Sequence, residues 1–138
     1  MTRFARLTLW LVAAPLLGLG AYLLLDPDGM TRMGLPVAGL RWRIDVRAVY
    51  GGLELGAGLF LALCARRPAW ARPGLRAALL LYGPTGAGHL LGNLVDGVDP
   101  GMLVAALFEL GCALLSWLAD RHERRITDSP RVPIRGDR

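Results

Sequence analysis

Three ionisable residues, Glu54, His89 and Glu109, lie inside long apolar stretches of the sequence. A charged group in hydrocarbon is costly, so such residues are expected to pair, to bind a ligand or to line a wet cavity. Carboxylates and imidazoles also act as general acids and bases and as metal ligands. These three residues are therefore the candidates for any chemistry, catalysis included, provided that the fold brings them together.

The elements that must position them are four apolar blocks, 7–25, 46–65, 77–95 and 102–119. Each has about the 20 residues that a helix needs to cross a hydrocarbon core of roughly 30 Å. The chain is 54% hydrophobic, and most of its charges lie between or outside the blocks. We therefore expect an all-α fold, a four-transmembrane-helix bundle over residues 1–119. A soluble bundle would need polar outer faces, which the leucine-rich fourth block lacks.

The charge distribution predicts the orientation of the chain. Twelve of the sixteen arginines precede the first block, follow the second or lie in the basic tail 120–138, and four lie on the other side. By the positive-inside rule both termini are then cytoplasmic, and we expect a multi-pass protein of the inner (plasma) membrane. This bias accounts for most of the net charge of +5, which also favours attraction to anionic membrane lipids. The positive charge therefore does not indicate that the protein binds nucleic acid. The polar tail is expected to continue the fourth helix for a short distance and then to be disordered.

Helical winding at 100° per residue divides the second block into two faces. Arg47, Tyr50 and Glu54 share one face with Gly51 and Gly58, which we expect to leave space beside Glu54. The pair Gly52 and Gly56 lies on another side, with the small-xxx-small spacing that favours close packing of a neighbouring helix.

The other two candidates also fall on inward faces. His89 shares a polar face of the third block with Asn93, and Glu109 lies opposite a leucine face of the fourth. Glu54 is seven residues from Arg47, His89 is seven from Asp96 and Glu109 is seven from Met102, so each lies about 10 Å below the outer boundary at 1.5 Å per residue. We expect a cluster at one level, with Tyr50 and Asn93 one turn nearer the outside and Arg47 as a counter-charge at the mouth.

Three interpretations of this cluster stay open. It is a polar lock that holds the helices in register, a ligand-binding or catalytic pocket that opens outward, or a metal site. The spacing lacks any H-x-x-x-H or E-x-x-H motif, so we predict no metal. Cys64 and Cys112 are expected to lie at different depths and to act as apolar fillers, too far apart for a disulfide. The motif search identifies no cofactor.

Several of these residues also support a family resemblance. The segment "RAVYGGLELGAGLFL" is followed by a Gly-His pair in the third block, by "DG" and by a glutamate in the fourth. Over about 7–118 this resembles an uncharacterised bacterial family of small four-helix integral membrane proteins, a domain of unknown function that is distantly similar to the DoxX-like membrane proteins. Its R-x-x-Y-G-G motif corresponds to Arg47, Tyr50, Gly51 and Gly52. The family pattern has Gly-Arg where this chain has Gly88 and His89, so no permanent positive charge is implied at that level.

Three functions fit these residues. The first is binding of a lipid-like or amphipathic small molecule, such as a quinone, isoprenoid or sterol-like compound, by Arg47, Tyr50, Glu54, His89, Asn93 and Glu109. In that role the protein could act as a homo-oligomer or as an accessory subunit of a membrane enzyme. The second is a membrane enzyme, isomerase-like, that uses Glu54, His89 and Glu109 for acid/base chemistry on a lipid. The third is a proton-linked transporter or channel.

Overall fold

A computed structural model of the chain describes residues 1–35 and 38–127. These residues are all helical or connecting, and none of them forms a strand. The helices are α1 (Arg3–Leu25), α2 (Gly29–Arg32), α3 (Gly39–Asp45), a π-helix (Val46–Leu53), α4 (Glu54–Arg66), a 3-10 turn (Pro68–Trp70), α5 (Ala71–Val95) and α6 (Pro100–Thr127). Helix α3, the π-helix and α4 run on without a break, so Gly39–Arg66 is one long helical stretch.

The long helices form two antiparallel hairpins. Helix α1 packs along the π-helix and α4, and α5 packs along α6. The two hairpins meet where α1 contacts α5 and α6 and where α4 contacts α5. The polar positions of the second, third and fourth predicted blocks can therefore converge between the hairpins.

Close packing of the first hairpin depends on glycines. A Cβ atom on Gly20 would lie 2.4 Å from the Leu55 nitrogen, and one on Gly51 would lie 2.7 Å from the Leu24 backbone. Gly58 meets α1 in the same way, with the Leu17 nitrogen at 2.8 Å. Under 3.0 Å no real Cβ atom is accommodated, so these three positions permit the backbones to approach.

This arrangement corrects the roles predicted for the glycines of the second block. Gly52 would meet only the Arg47 carbonyl of its own helical stretch, at 3.6 Å, and Gly56 has nothing of the described chain within 4 Å. The predicted packing pair thus meets no other helix among the described residues. Gly51 and Gly58, which were expected to leave space beside Glu54, are the residues that pack instead.

The π-helix gives the physical reason for this difference. A π-helix has i→i+5 hydrogen bonds in place of i→i+4, so its side chains fall out of phase with an α-helical projection. The buried residues of the segment, Val46 and Gly51, are five apart. Winding the block uniformly at 100° per residue therefore misplaced the residues before Glu54 relative to those after it.

Three helical stretches are long and apolar enough to cross a membrane by length and composition: Arg3–Leu25, Gly39–Arg66 and Pro100–Ile126. Within the described residues, α5 does not join them although it has 25 residues. Its second half carries Thr85, His89 and Asn93 among several glycines, which lowers its mean hydropathy. By these criteria the chain is a helical membrane protein with three candidate spans, where the sequence predicted four.

The helix ends also differ from the predicted block ends. Helix α5 begins at Ala71, ahead of the predicted 77, so it includes Arg72 and Arg76. Helix α6 continues to Thr127, past the predicted 119, so the first part of the predicted tail is helical. The rest of that tail, 128–138, and its predicted disorder lie outside the described residues.

The end of the molecule that holds residues 66–76 and 117–127, here called the arginine end, has an apolar interior. Leu9, Leu61 and Leu75 are fully buried there. Cys64 and Cys112 are free and buried. The Met1 amino group lies 4.0 Å from the Glu123 carboxylate, so the first residues and the last turns of α6 meet at this end.

Candidate functional site

The predicted cluster forms between the two hairpins, and its best-defined contact joins α5 to α6. His89 Nδ1 lies 2.7 Å from Glu109 Oε2, so the imidazole and the carboxyl group share a hydrogen bond. Gly86 lets the two helices approach here, because a Cβ atom on it would lie 3.1 Å from the Glu109 Cβ and 2.9 Å from Leu110 Cγ. The Glu109 side chain is 16% exposed and the His89 side chain is 37% exposed, so the carboxylate is the more enclosed member of the pair.

Glu54 faces the same region from α4 but is not paired. Its Oε2 is buried and finds no hydrogen-bond partner among the residues that the structure describes. A buried carboxylate oxygen without a partner is rare, because the desolvation of the group is then uncompensated. Glu54 and Glu109 line the same two cavities, so the sequence-based expectation that they lie at one level agrees with the structure.

Tyr82 completes this level, although the sequence analysis did not count it among the site residues. It is buried, lines both cavities and donates its hydroxyl to the Val12 carbonyl at 2.7 Å. This bond ties α5 to α1 across the gap between the hairpins. The sequence feature that could have identified Tyr82 is its position on the polar face of the third block, which it shares with Thr85 and His89. We call Glu54, Tyr82, His89 and Glu109 the polar cluster.

Two cavities flank the polar cluster. The first, of about 210 Å³, is lined by Glu54, Tyr82 and Glu109 together with Leu16, Leu53, Ala57, Leu81 and Thr85. The second, of about 240 Å³, shares Leu16, Glu54, Tyr82 and Glu109 and is completed by Pro15, Leu19, Ala105 and Phe108.

The cavities reach the surface at the sides of the molecule. Leu53 and Leu81 are exposed members of the first lining and lie on the π-helix and α5. Leu19 and Phe108 are exposed members of the second and lie on α1 and α6. Each cavity is thus reached between two helices, past apolar side chains, and this differs from the outward mouth that the sequence analysis predicted.

Arg47 does not line either cavity. It donates hydrogen bonds to the carbonyl oxygens of Leu24 and Leu25, the latter at 3.0 Å. The last carbonyls of a helix have no intrahelical partner, so the guanidinium caps α1 and compensates its negative end. Arg47 and Gly51 therefore contact the same end of α1. In the structure the Arg47 guanidinium binds this helix end, whereas the sequence analysis predicted it as a counter-charge at the mouth of the pocket.

Two other predicted ligand contacts also take different positions. Tyr50 is exposed and does not line the cavities, since the π-helix rotates it away from Glu54. Asn93 is used structurally: its amide donates to the His89 carbonyl at 2.9 Å, and its oxygen accepts from the Asp99 nitrogen at 2.9 Å. It holds the turn between α5 and α6 and leaves no atom directed at the cavities.

The geometry also bears on the metal alternative. Over residues 1–35 and 38–127, no three side chains of the His, Cys, Asp and Glu types come close enough together to hold a metal ion. The polar cluster has two carboxylates and one phenol in the apolar lining of the cavities, and one imidazole, His89, which contacts Glu109 but lines neither cavity. This arrangement can accept hydrogen bonds from a ligand or pass a proton between His89 and Glu109.

Residues 4–119 match the family model of the Domain of unknown function (DUF4345). The match covers most of the chain, so the protein belongs to this family, in agreement with the uncharacterised family that the sequence resembled. No curated protein and no solved structure matches the chain.

Proposed function

We propose that this protein is a four-span protein of the inner (plasma) membrane with both termini in the cytoplasm. Helix α5 has 25 residues and packs antiparallel along α6, one of the candidate spans, so a membrane that contains α6 also contains α5. The excess of arginine on the side of both termini supports the orientation. A distant relation to the DoxX-like membrane proteins, and a bacterial origin, belong to the same proposal and rest on the sequence resemblance.

We further propose that the polar cluster binds one lipid-like or amphipathic molecule. The observation that carries this proposal is the buried Glu54 Oε2, which has no partner in the described chain on a residue that lines both cavities. A ligand that donates a hydrogen bond to this oxygen would compensate its desolvation. We propose in addition that the protein acts as an accessory subunit of a membrane enzyme.

The cavities restrict the kind of ligand. At about 210 and 240 Å³ each is smaller than the roughly 300 Å³ at which ordinary ligand pockets begin, so each holds the polar end of a larger molecule. The acceptors are carboxylates, which favours a donor at that end. An isoprenoid alcohol, a sterol or the reduced form of a quinone has a hydroxyl group for Glu54 and an apolar body for the space between the helices.

The test is native mass spectrometry of the protein purified with its own lipids. We expect one specific bound molecule on the wild type, loss of that molecule from Glu54→Gln and retention on the control Tyr50→Phe, which changes an exposed residue of the neighbouring helical segment. A wild type that carries only bulk lipid, or a Glu54→Gln variant that keeps the ligand, would refute the proposal.

A second candidate function, acid/base catalysis on a lipid, is favoured by the His89–Glu109 hydrogen bond at 2.7 Å. The imidazole and the Glu109 carboxyl group can exchange a proton along this bond, and Glu109 and Glu54 both line the two cavities. For an enzyme, His89→Gln would keep the ligand and abolish its conversion. Identical products from wild type and His89→Gln would exclude this mechanism.

Proton-linked transport, the third function considered, has less structural support. Beyond Tyr82 most of the buried residues toward the arginine end are apolar, and Ser116 there donates to the Cys112 carbonyl at 2.8 Å. A proton path needs polar groups along its length, and between Tyr82 and the charged groups of that end the buried polar side chains of the described residues are Thr8 and this bonded serine.

A further inference from the structure

A groove between α5 and α6 at the arginine end combines positive charge with an apolar wall. Its lining residues, which define the arginine groove, are Arg76, Leu79, Leu80, Trp117, Asp120, Arg121 and Arg124, and its volume is about 380 Å³. It shares no residue with the polar cluster or with the two cavities beside it. Neither the proposed ligand site nor the family match accounts for it.

The positive charge of the arginine groove is organised around one acid. Asp120 accepts from Arg72 at 3.3 Å, from Arg76 at 3.4 Å and from Arg124 at 3.4 Å, and its side chain is 12% exposed. One carboxylate compensates only one of the three guanidinium charges. The remaining charge is held in place, since each arginine is oriented by the same acceptor, and about half of the Arg76 and Arg124 side chains stays accessible.

Arg121 adds a further cation. Its guanidinium carbon lies 4.1 Å from the centre of the Trp117 ring, a cation–π contact. No acid in the described part of the chain forms an ion pair with it, so its charge is available. Arg121 and Trp117 both line the groove.

The apolar part of the groove lies on the membrane side of these charges. Leu80 is one turn along α5 from Arg76, and Trp117 is one turn along α6 before Arg121. The helices run in opposite directions, so both apolar residues lie deeper in the molecule than both arginines. Leu80 is 71% exposed and Trp117 is 38% exposed, which leaves an open apolar surface below a cluster of cations.

We propose that the arginine groove is a binding site for one anionic phospholipid. Arg76, Arg121 and Arg124 bind the phosphodiester, since guanidinium groups match phosphate oxygens with paired N–H donors. One acyl chain lies along Leu80 and Trp117, and Asp120 orients two of the three arginines before the lipid binds. The proposal is independent of the function of the polar cluster.

The test uses the full-length protein in detergent micelles and titrates two lipids with the same chains, palmitoyl-oleoyl phosphatidylglycerol and palmitoyl-oleoyl phosphatidylcholine, with bound lipid counted by native mass spectrometry. We expect phosphatidylglycerol to bind at least about tenfold more tightly, as expected for several arginines near one anionic head group. The variant Arg121→Gln, which removes no contact of Asp120, should weaken phosphatidylglycerol binding by a factor of about 3 to 10. Arg121→Gln/Arg124→Gln should abolish the preference between the two lipids.

The control Arg41→Gln/Arg43→Gln removes the same charge at the opposite end and should leave the preference unchanged. Equal binding of both lipids by the wild type, or equal losses in the control and groove variants, would overturn the proposal. A second arm separates lipid from free phosphate. Inorganic phosphate should not displace phosphatidylglycerol at millimolar concentration, and Leu80→Ser should weaken lipid binding; displacement together with no effect of Leu80→Ser would assign the groove to phosphate alone.

Discussion

Replacement of Gly20 by alanine tests the packing of the first hairpin. A Cβ atom at this position would lie 2.4 Å from the Leu55 nitrogen, 2.9 Å from the Leu55 Cα and 3.0 Å from the Gly51 carbonyl oxygen. All three are backbone atoms, so no side chain can rotate away. The nearest distance is about 1 Å short of an ordinary van der Waals contact, and the two helices must separate by a similar amount.

The expected magnitude follows from two opposing effects. Overpacking of a tight interface costs about 1 to 3 kcal/mol. Alanine is favoured over glycine inside a helix by about 0.5 to 1 kcal/mol, which offsets part of this. We therefore expect Gly20→Ala to lower the free energy of unfolding by up to about 2 kcal/mol.

The matched control is Gly18→Ala, two residues away in α1, where nothing in the described chain lies within 4 Å of the added atom. It should show only the helix-propensity gain of about 0.5 to 1 kcal/mol. Unfolding in mixed micelles by titration with sodium dodecyl sulfate, followed by tryptophan fluorescence, measures both variants. Equal stability of Gly20→Ala and Gly18→Ala would show that α1 does not approach the Gly39–Arg66 stretch as closely as described.

Three further predictions concern the site and the loop end. Gly86→Ala should separate α5 from α6 and reduce ligand occupancy in native mass spectra, whereas Gly88→Ala, with open space around it, should not; equal occupancy would contradict the close approach. Arg47→Gln should lower the free energy of unfolding by about 1 kcal/mol, because it removes an exposed hydrogen-bonded cap, and it should leave ligand occupancy unchanged. Loss of ligand at unchanged stability would instead show that Arg47 binds the ligand. The hydrogen bond from Arg32 holds the pKa of Asp26 below its ordinary value of 3.8. The ion pair between the two residues therefore stabilises the fold above that pH, and this stabilisation is lost as the pH falls through the lowered pKa. Asp26→Asn should therefore make thermal stability less dependent on pH below about pH 4, and an unchanged acid limb would argue against this ion pair.

The sequence predicted the site best where the helices are regular. His89 and Glu109 lie on α-helical stretches, and a rise of 1.5 Å and a turn of 100° per residue held along both. The depth of each residue and the helix face on which it lies were read from the sequence alone. Both agree with the distance of 2.7 Å between His89 Nδ1 and Glu109 Oε2 in the structure. Arg47 and Tyr50, predicted as ligand contacts, do not line the cavities, and the π-helix Val46–Leu53 changes the phase of the helix there, of which the sequence pattern gave no sign.

Packing between helices could not be read in the same way. Small residues stand at Gly51, Gly52, Gly56 and Gly58, and spacing alone favoured the pair Gly52 and Gly56. Which glycines meet a neighbour depends on the rotation of the whole stretch about its axis against α1, and Gly51 and Gly58 are the ones that do. Tyr82 was missed for a related reason, since its partner is a carbonyl of α1 that lies 70 residues away in the chain.

The sequence by itself determined that the chain is helical, where its long apolar stretches lie, and which ionisable residues they enclose. These properties depend on composition and on the fixed geometry of a single helix, so they can be read from residues that are close together in the sequence. The tertiary structure alone decided which glycines pack, that Arg47 caps α1, and that the carboxylates stand between two cavities that open at the sides. Those features depend on how one helix is rotated and displaced against another, and that choice is made by contacts between residues far apart in the chain.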